Sequence, residues 1–412
     1  MAVVPREEDV VIIGAGIAGL ATSLALHRLG IKSLVLESAT SLRVTGFALG
    51  TWTNAWRALD ALGIGNHLRQ QHRLLDGVVF ASTITGGISV DMSLTGTGHE
   101  LRRVHRKLLI GAMEKELPNG TIRYSSKVVS MEGSESDCYK LLHLGDGTII
   151  KAKVLIGCDG VNSLVAKWIG LNEAVTSGRS GVRGSATFPE GHGFTSKLFM
   201  FVGKGFRAGC LPCDDNTIYW YFSWTPSIQE HDLLYNPSKL KEYVLSKLQN
   251  APDLKKVVEK TELDSVMSSP LRYRNPWEFL WKKLTRGNVC VAGDALHPMT
   301  PDLSQGGCAA LEDSVTLGRC LAEALKKNPG PGGEDTETCE QEYRRIELGL
   351  REYAKERRWR SFKLIATGCL AGRVQQSQGN ITTFLRDRVL AKFLAGLLLQ
   401  IAEFDCGTLT SR

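Results

Sequence analysis

Apolar spacing predicts the elements at the start of the chain. A short β-branched run, Val10–Ile13, precedes an Ala/Leu-rich segment with helical spacing that extends to about Leu29, and Gly30 ends that helix. A second apolar run, Ser33–Glu37, predicts another strand. The order strand, helix, strand within the first forty residues indicates a βαβ unit with parallel strands.

The period of the pattern changes to two farther along the chain. Polar and apolar residues alternate from about Asp76 to Leu94, which favours antiparallel strands. Strands are also predicted at Thr148–Lys151 and Val154–Ile156, and the region Gly178–Leu271 is strand-rich and aromatic. An apolar run at Asn288–Ala292 predicts a return to a buried strand.

These changes predict an α/β fold in which a Rossmann-type dinucleotide-binding domain is interrupted by a β-rich domain and followed by C-terminal helices. We assign residues 1–75, 99–177 and 272–327 to the discontinuous dinucleotide-binding domain. Residues 76–98 and 178–271 form the predicted β-sheet substrate domain. Residues 334–412 form the predicted C-terminal helical segment. A Pro/Gly-rich stretch at 328–333 separates the last two regions.

Composition limits the classes of protein that fit. Hydrophobic residues make up 43% of the chain and charged residues 23%, as in ordinary globular proteins. The net charge of +7 is spread along the chain, so a nucleic-acid partner is not expected. Ten cysteines are irregularly spaced, and the pair Cys210 and Cys213 has no second pair to complete a metal site. We therefore expect structural thiols in a reducing compartment, and no metal.

Targeting and membrane segments are not expected either. The residues before Val10 are too few for a signal peptide, and the apolar run Phe393–Leu399 is much shorter than the ~20 residues that span a bilayer. We expect this C-terminal run to belong to a helix packed on the body of the protein. The expectation is a cytoplasmic protein with no transmembrane segment, monomeric or weakly homo-oligomeric.

The first chemical motif is Gly14-x-Gly16-x-x-Gly19, between the first strand and the first helix. Gly14 allows a tight turn, Gly16 lets the backbone approach a pyrophosphate, and Gly19 lets helix and strand pack closely. The helix N-terminus, which includes Ala18, offers free N–H groups to phosphates. Glu37 ends the second strand at the spacing expected of an acid that accepts from ribose hydroxyls. A dinucleotide site is predicted, without a choice between FAD and NAD.

Two further motifs place an acid beside glycine where an apolar strand ends. Asp159 and Gly160 follow the strand predicted at Val154–Ile156, and Gly293 and Asp294 follow Asn288–Ala292. By itself, either motif is equally typical of a tight Asx turn. The third motif continues through His297, Pro298 and Pro301 to Gln305, Gly306 and Gly307, where a helix is predicted to begin.

Together and in this order, the three motifs resemble those of the group A flavoprotein monooxygenases, typified by para-hydroxybenzoate and salicylate hydroxylases. The resemblance extends from about Val10 to Arg319 and is strongest to the plant zeaxanthin-epoxidase-like branch. It implies that the first motif and Glu37 bind the ADP half of FAD. It also implies that Asp159 and Gly160 contribute to FAD and NAD(P)H binding, and that Gly293 and Asp294 hold the ribityl chain.

The resemblance adds two points about the flavin. Arg106 matches a family arginine, in an Arg-x-x-Leu helix start, that reaches FAD; the alternative is a surface cation. The family usually has Gly-Gln-Gly-Gly where this chain has Ser304-Gln305-Gly306-Gly307. Small residues let a flat ring lie against the backbone, and the helix N-terminus can stabilise charge on reduced flavin. A serine that needed positive φ at position 304 would be strained.

Candidate substrate contacts are less well specified. Period-two alternation puts Trp220, Phe222 and Trp224 on one face of a strand and Tyr219 and Tyr221 on the other. One face should line a cavity over the flavin while the other packs as core. We assign the substrate role to Trp220, Phe222 and Trp224, with core packing as the alternative.

Charged and titratable candidates remain. Arg183 and Arg207 could contact an anionic substrate or NAD(P)H. His297 could transfer protons or make a structural hydrogen bond. The basic cluster Lys355–Arg360 has interleaved glutamates, which favours a solvated helix face.

The resemblance implies that NADPH or NADH reduces FAD, that O₂ adds at flavin C4a, and that the hydroperoxide transfers one oxygen to a small aromatic or unsaturated substrate. Only one G-x-G-x-x-G is present, which agrees with a family lacking a separate NAD(P)H domain. Two alternatives remain: a flavin-dependent reductase, and an idle FAD-binding protein acting through partner contacts. A flavin-dependent halogenase is disfavoured because its Trp-x-Trp-x-Ile-Pro signature is absent.

Overall fold

The computed structural model describes residues 5–43, 48–326, 337–377, 379 and 391–409. The strands are β1 (Arg6–Ile13), β2 (Leu34–Leu36), β3 (Ala48–Thr51), β4 (Gly77–Ser82), β5 (Ile88–Ser93), β6 (Arg102–His105), β7 (Ile122–Arg123), β8 (Val128–Glu132), β9 (Lys140–Leu144), β10 (Ile149–Gly157), β11 (Val175–Thr187), β12 (Lys197–Val202), β13 (Phe206–Pro212), β14 (Thr217–Trp224), β15 (Met267–Tyr273), β16 (Thr285–Arg286) and β17 (Val289–Val291). The α-helices are α1 (Ile17–Arg28), α2 (Thr53–Ala61), α3 (Gly65–Gln71), α4 (Arg106–Lys115), α5 (Leu164–Ile169), α6 (Pro237–Lys247), α7 (Pro252–Glu259), α8 (Glu278–Trp281), α9 (Gly306–Leu325), α10 (Cys339–Gln375) and α11 (Ala391–Ala402).

The first sheet has eight strands with β1 near its centre. Its main order is β16-β17-β10-β1-β2-β7, and β9 and β8 extend it from β10. β1 pairs in parallel with β10 and β2, and β10 pairs in parallel with β17. Because these four strands share one direction, the chain leaves all of them at the same edge of the sheet. That edge is where open α/β sheets bind their ligands.

The segment leading to the second motif differs from its prediction. The two short strands predicted at Thr148–Lys151 and Val154–Ile156 form one strand, β10. Its first half alternates between half-buried and buried residues, with Lys151 and Lys153 at half-buried positions. This part is covered by β9 on one side and β1 on the other. The lysines therefore follow the period of a strand and do not interrupt it.

The second sheet has seven strands in the order β15-β11-β14-β13-β12-β4-β5. It combines the hairpin β4–β5 with strands from the 175–273 region, and only the β12–β4 pair among its neighbours is parallel. Helices α6 and α7 cover one of its faces, and their apolar residues join the side chains of β14 in a second core. The domain boundaries given above stay a prediction.

Three helices complete the part of the chain that the structure describes. α9 packs on α1, where Ser314 Oγ donates to the Ala18 carbonyl at 3.1 Å. The 37-residue α10 packs on α9. In α11 the side chains of Leu394, Leu398 and Ile401 are buried. No helix in the described part of the chain combines the length and apolar character that crossing a membrane requires.

Candidate active site

The loops that carry the three motifs border one cavity of about 460 Å³ between the carboxyl edge of the first sheet and the second sheet. Most of the predicted site residues line it. These are Gly16, Ala18, Arg106, Gly160, Arg183, Phe222, Gly293, Asp294, Pro301, Gly306 and Gly307. The tertiary structure thus brings together residues that are up to 291 positions apart in the chain.

The backbone of the first motif makes the close approaches that were predicted from its glycines. Gly14 has φ +100°, and a Cβ there would lie 2.5 Å from the Cys158 carbonyl oxygen. A Cβ on Gly19 would lie 1.8 Å from the Gly14 carbonyl oxygen, whereas a Cβ on Gly16 would meet nothing within 4 Å. Gly16 is the N-cap residue of α1, which has no side-chain cap. The helix N-terminus therefore borders the cavity with N–H groups available to an anion.

Glu37 holds the first-motif loop in place. Its carboxylate accepts hydrogen bonds from the backbone N–H groups of Ala15 at 2.9 Å and Ala39 at 2.8 Å. Burial by itself raises the pKa of Glu37, but these hydrogen bonds and the Arg43 guanidinium lower it below its ordinary value. Glu37 is outside the cavity lining. Its predicted contact with a ribose stays a prediction.

Asp159 caps the helix that follows the second motif. Its Oδ2 accepts from the Leu164 N–H at 2.8 Å, and its buried Oδ1 has no partner among the described residues. Burial raises the pKa of this carboxyl group. Asp159 itself does not line the cavity, whereas the adjacent Gly160, with φ +81°, does.

Asp294, Arg106 and Arg183 place charge on the cavity wall. The Asp294 side chain is accessible from the cavity, and desolvation by the surrounding protein raises its pKa. Arg106 is the first residue of α4, and its pKa is lowered by burial despite attraction to Asp294. Within the described residues, Nε of Arg106 and Nε of Arg183 are buried without a hydrogen-bond partner. Both arginines line the cavity together with Asp294, so its wall carries two cationic groups and one carboxyl group.

The loop before α9 contains Ser304, and its backbone has the strain predicted for a serine with positive φ at this position. Ser304 has φ +53° and ψ +34°, in the left-handed region, and lines the cavity. α9 begins two residues later at Gly306 without a side-chain cap. Gln305 is buried, accepts from Asn54 Nδ2 at 2.8 Å and is outside the lining. Gln305 therefore anchors the loop between Ser304 and Gly306, and those two residues line the cavity.

Arg207 lines the cavity but is already engaged by protein groups. Its guanidinium lies 3.1 Å from Asp302 and donates to Gln375 Oε1 at 2.7 Å. Arg179 contacts the same carboxylate in a bidentate pair at 2.9 and 2.7 Å. Arg207 also lies over the ring of Tyr221, 5.0 Å from its centroid. The candidate role of Arg207 as a contact for an anionic substrate or NAD(P)H stays a prediction.

His297 is a structural residue rather than a group on the cavity wall. It is fully buried, and its Nε2 lies 2.6 Å from Asp313 Oδ2. The same Asp313 oxygen accepts from the Gly293 N–H at 2.7 Å. His297 therefore stabilises the turn that carries Asp294. The proton-transfer role that we considered is corrected to the structural alternative.

The tyrosine face of β14, not the tryptophan face, meets the cavity. Tyr219 and Tyr221 line it, whereas Trp220 and Trp224 are buried in the second core. Trp220 Nε1 donates to Thr261 Oγ1 at 2.8 Å. Phe222 borders the cavity, but its ring stacks on Phe206 at 5.1 Å in that core. The assignment of Trp220 and Trp224 to the substrate is thus wrong, because α6 and α7 cover their face.

Two buried arginines were missed by sequence reasoning. Arg357 pairs with Glu312 at 2.9 Å and Asp313 at 2.6 Å, and Arg360 pairs with Glu312 at 2.7 Å. The predicted solvated face is therefore wrong for Arg357 and Arg360. A signal was present: Arg357 lies four residues after Tyr353 and seven before Leu364, on the apolar stripe of α10.

Comparison with known proteins shows the family to which the chain belongs. The FAD binding domain family matches residues 7–342. The chain is 51% identical over 403 residues to Monooxygenase 2 of Arabidopsis thaliana, covering 97% of this chain and 98% of the relative. It is 37% identical to Monooxygenase 1 of the same plant, over 98% of this chain and all of the relative.

Solved structures share the fold. The Klebsiella pneumoniae HpxO structure with FAD and uric acid has a TM-score of 0.81 at 22% identity, covering 96% of each chain. A salicylate hydroxylase substrate complex has a TM-score of 0.73 at 19% identity, covering 97% of this chain and 98% of that one. The predicted α/β class with a Rossmann-type FAD-binding domain is confirmed.

The fold and the cavity define an FAD-binding oxidoreductase. The chain belongs to the FAD binding domain family and, within it, to the FAD-dependent monooxygenases. The resemblance to group A flavoprotein monooxygenases is thereby confirmed.

Proposed function

We propose that this protein is an NADPH- or NADH-consuming FAD monooxygenase that inserts one oxygen atom from O₂ into a small aromatic or unsaturated substrate, by hydroxylation or epoxidation. The observation that carries the proposal is the shared cavity. Its walls come from all three dinucleotide motifs on one side and from the second sheet on the other. A cofactor and a small substrate would therefore meet inside one enclosed space.

The residues present fit FAD. The uncapped N-terminus of α1 would hold the pyrophosphate, and Glu37 the adenosine ribose. Asp294 and Arg106 would hold the ribityl region, and the N-terminus of α9 would lie beside the ring. When bound and reduced by a nicotinamide nucleotide, the flavin supplies the activation of O₂. The protein contributes binding, orientation and exclusion of water.

The second sheet would position the substrate. Tyr219 and Tyr221 line the cavity, and burial raises the pKa of Tyr219 to about 12, so its hydroxyl stays protonated. Apolar side chains such as Leu198 and Leu211 complete this wall. Arg183 would pair with an anionic group on the substrate or on the nicotinamide nucleotide.

Oxygen uptake by the purified protein tests the proposal. Bound yellow flavin should be released on denaturation and identified as FAD. NADPH or NADH oxidation should rise with one member of a panel of phenols, indoles and terpenoids, with O₂ consumed and one oxygen found in the product. Arg183→Met should weaken the binding of an anionic substrate or of the nucleotide while FAD content stays unchanged. Arg272→Met is the matched control, because Arg272 is exposed on β15.

Two outcomes would contradict the proposal. Nucleotide oxidation with no oxygenated product would favour a flavin-dependent reductase. Flavin that stays oxidised with both nucleotides and every candidate substrate would favour an idle FAD-binding protein.

A further inference from the structure

Three of the eight tryptophans in the chain are exposed, and all three lie on one surface. Trp277, Trp281 and Trp359 are 55%, 66% and 63% exposed. Trp277 and Trp359 each make an edge contact with Phe362, at 5.6 and 5.7 Å between ring centroids. Trp281 lies one helical turn after Trp277. We call these four residues the aromatic patch.

Hydrogen bonds fix the two helices that carry the aromatic patch relative to each other. Arg358 of α10 donates hydrogen bonds to the carbonyl oxygens of Phe279 and Lys282, and the bond to Lys282 is 3.1 Å long. This ties the one-turn helix α8 to the helix that carries Trp359. The protein thus keeps large apolar side chains in water at a fixed position, which is a mark of an interaction surface.

Positive charge borders the patch. A groove of about 300 Å³ next to it is walled by Trp359 together with Lys283, Arg351, Lys355 and Arg358. Two carboxylates, Glu135 and Glu347, line the same groove and pair with Lys283 at 3.0 Å and Arg351 at 2.7 Å, so cations are in excess there. Lys283 and Lys355 are 68% and 77% exposed, so they can reach a partner without unfolding. The surface therefore favours an anionic partner.

The combination of residue types favours a lipid surface over a protein. Tryptophan is enriched where a membrane meets water, because its ring is apolar and its N–H is polar. Clustered lysine and arginine attract anionic lipid headgroups. Lysine is depleted at protein–protein interfaces, whereas Lys283 and Lys355 line the groove beside this patch.

We propose that the aromatic patch and its basic border dock the protein peripherally on anionic phospholipid membranes. The three indoles would insert at the headgroup level, and the groove beside Trp359 would accept a lipid phosphate. Such docking would place the enzyme where apolar substrates concentrate, and it requires no spanning helix.

Vesicle binding by the full-length, FAD-loaded protein tests this inference. The protein should sediment with vesicles of equal phosphatidylcholine and phosphatidylserine, release at high salt, and stay in solution with phosphatidylcholine alone. Tryptophan emission should shift to shorter wavelength on binding and be quenched by brominated lipid. Lys283→Glu with Lys355→Glu should weaken partition about tenfold or more.

Replacing the three tryptophans by serine should abolish sedimentation with the anionic vesicles, with flavin content confirming the fold. Ile228→Ser with Tyr235→Ser is the matched control, since these side chains are 93% and 86% exposed outside the patch. The inference fails if anionic vesicles are not bound at low salt, or if the tryptophan and control variants bind alike. Self-association that the tryptophan replacements abolish would assign the patch to a second copy of the chain and overturn the inference.

Discussion

Arg357 Nε lies 2.6 Å from Asp313 Oδ1 in an ion pair that excludes solvent completely. Asp313 uses its other oxygen to accept from Gly293, the residue before Asp294. Helix α10 is therefore connected through one carboxylate to the turn that borders the cavity. A helix that lies outside the three motifs therefore supports a wall of the cavity.

We expect Arg357→Met to destabilise the protein by about 3–5 kcal/mol, because it removes the positive charge that pairs with the buried carboxylates of Glu312 and Asp313. Denaturant unfolding measures the free energy, and flavin titration should show weaker FAD binding. Arg351→Met is the control, since Arg351 is 59% exposed and its pair with Glu347 contributes at most about 0.5 kcal/mol. Equal losses in both variants would contradict a structural role for the buried pair.

Ser304→Gly should stabilise the protein. Left-handed backbone costs a non-glycine residue about 1–2 kcal/mol, and glycine loses more entropy on folding, so we expect a net gain of about 0.5–1 kcal/mol. Ser304→Ala should show no gain because it keeps the strain. Thermal unfolding distinguishes the two variants. Ser125→Gly, at φ 52° and outside the cavity lining, shows whether any gain is general to such serines.

The two faces of β14 should separate stability from substrate binding. Trp220→Phe removes the hydrogen bond to Thr261 inside the core and should cost about 1–3 kcal/mol, with the substrate KM unchanged. Tyr221→Phe should leave stability near that of the parent while changing KM about five- to tenfold. Parallel unfolding and steady-state kinetics provide the test. A KM effect confined to Trp220→Phe would restore the original assignment.

Asp302 should contribute to acid unfolding. Burial alone raises its pKa, but Arg207 and Arg179 lower it below the ordinary aspartate value. A lowered pKa in the folded state contributes stability that is full above the unfolded pKa of about 4 and is lost as pH falls through the folded pKa. The stability advantage of the parent over Asp302→Asn should therefore shrink below about pH 4. Urea unfolding across pH measures it, with the exposed Asp264→Asn as control.

Much of the cofactor side could be predicted from local sequence. The glycines of the first motif have geometric reasons that depend only on neighbouring turns, and the structure shows the same close contacts at Gly14 and Gly19. Arg106 was predicted at a helix start, and it is the first residue of α4. Local backbone requirements and strand periodicity are short-range properties, so they can be predicted from the sequence without the tertiary structure.

Contacts between distant segments could not be predicted in this way. Alternation separated the tyrosines of β14 from its tryptophans, but both faces are aromatic, and only the packing of α6 and α7 decided which one is core. Arg357 resembled a surface cation because its partners, Glu312 and Asp313, lie more than forty positions away. The sequence by itself therefore determined the class of protein and its dinucleotide motifs. The tertiary structure decided which charges are buried together and which side chains meet the cavity, because desolvation and packing depend on neighbours that the order of residues does not reveal.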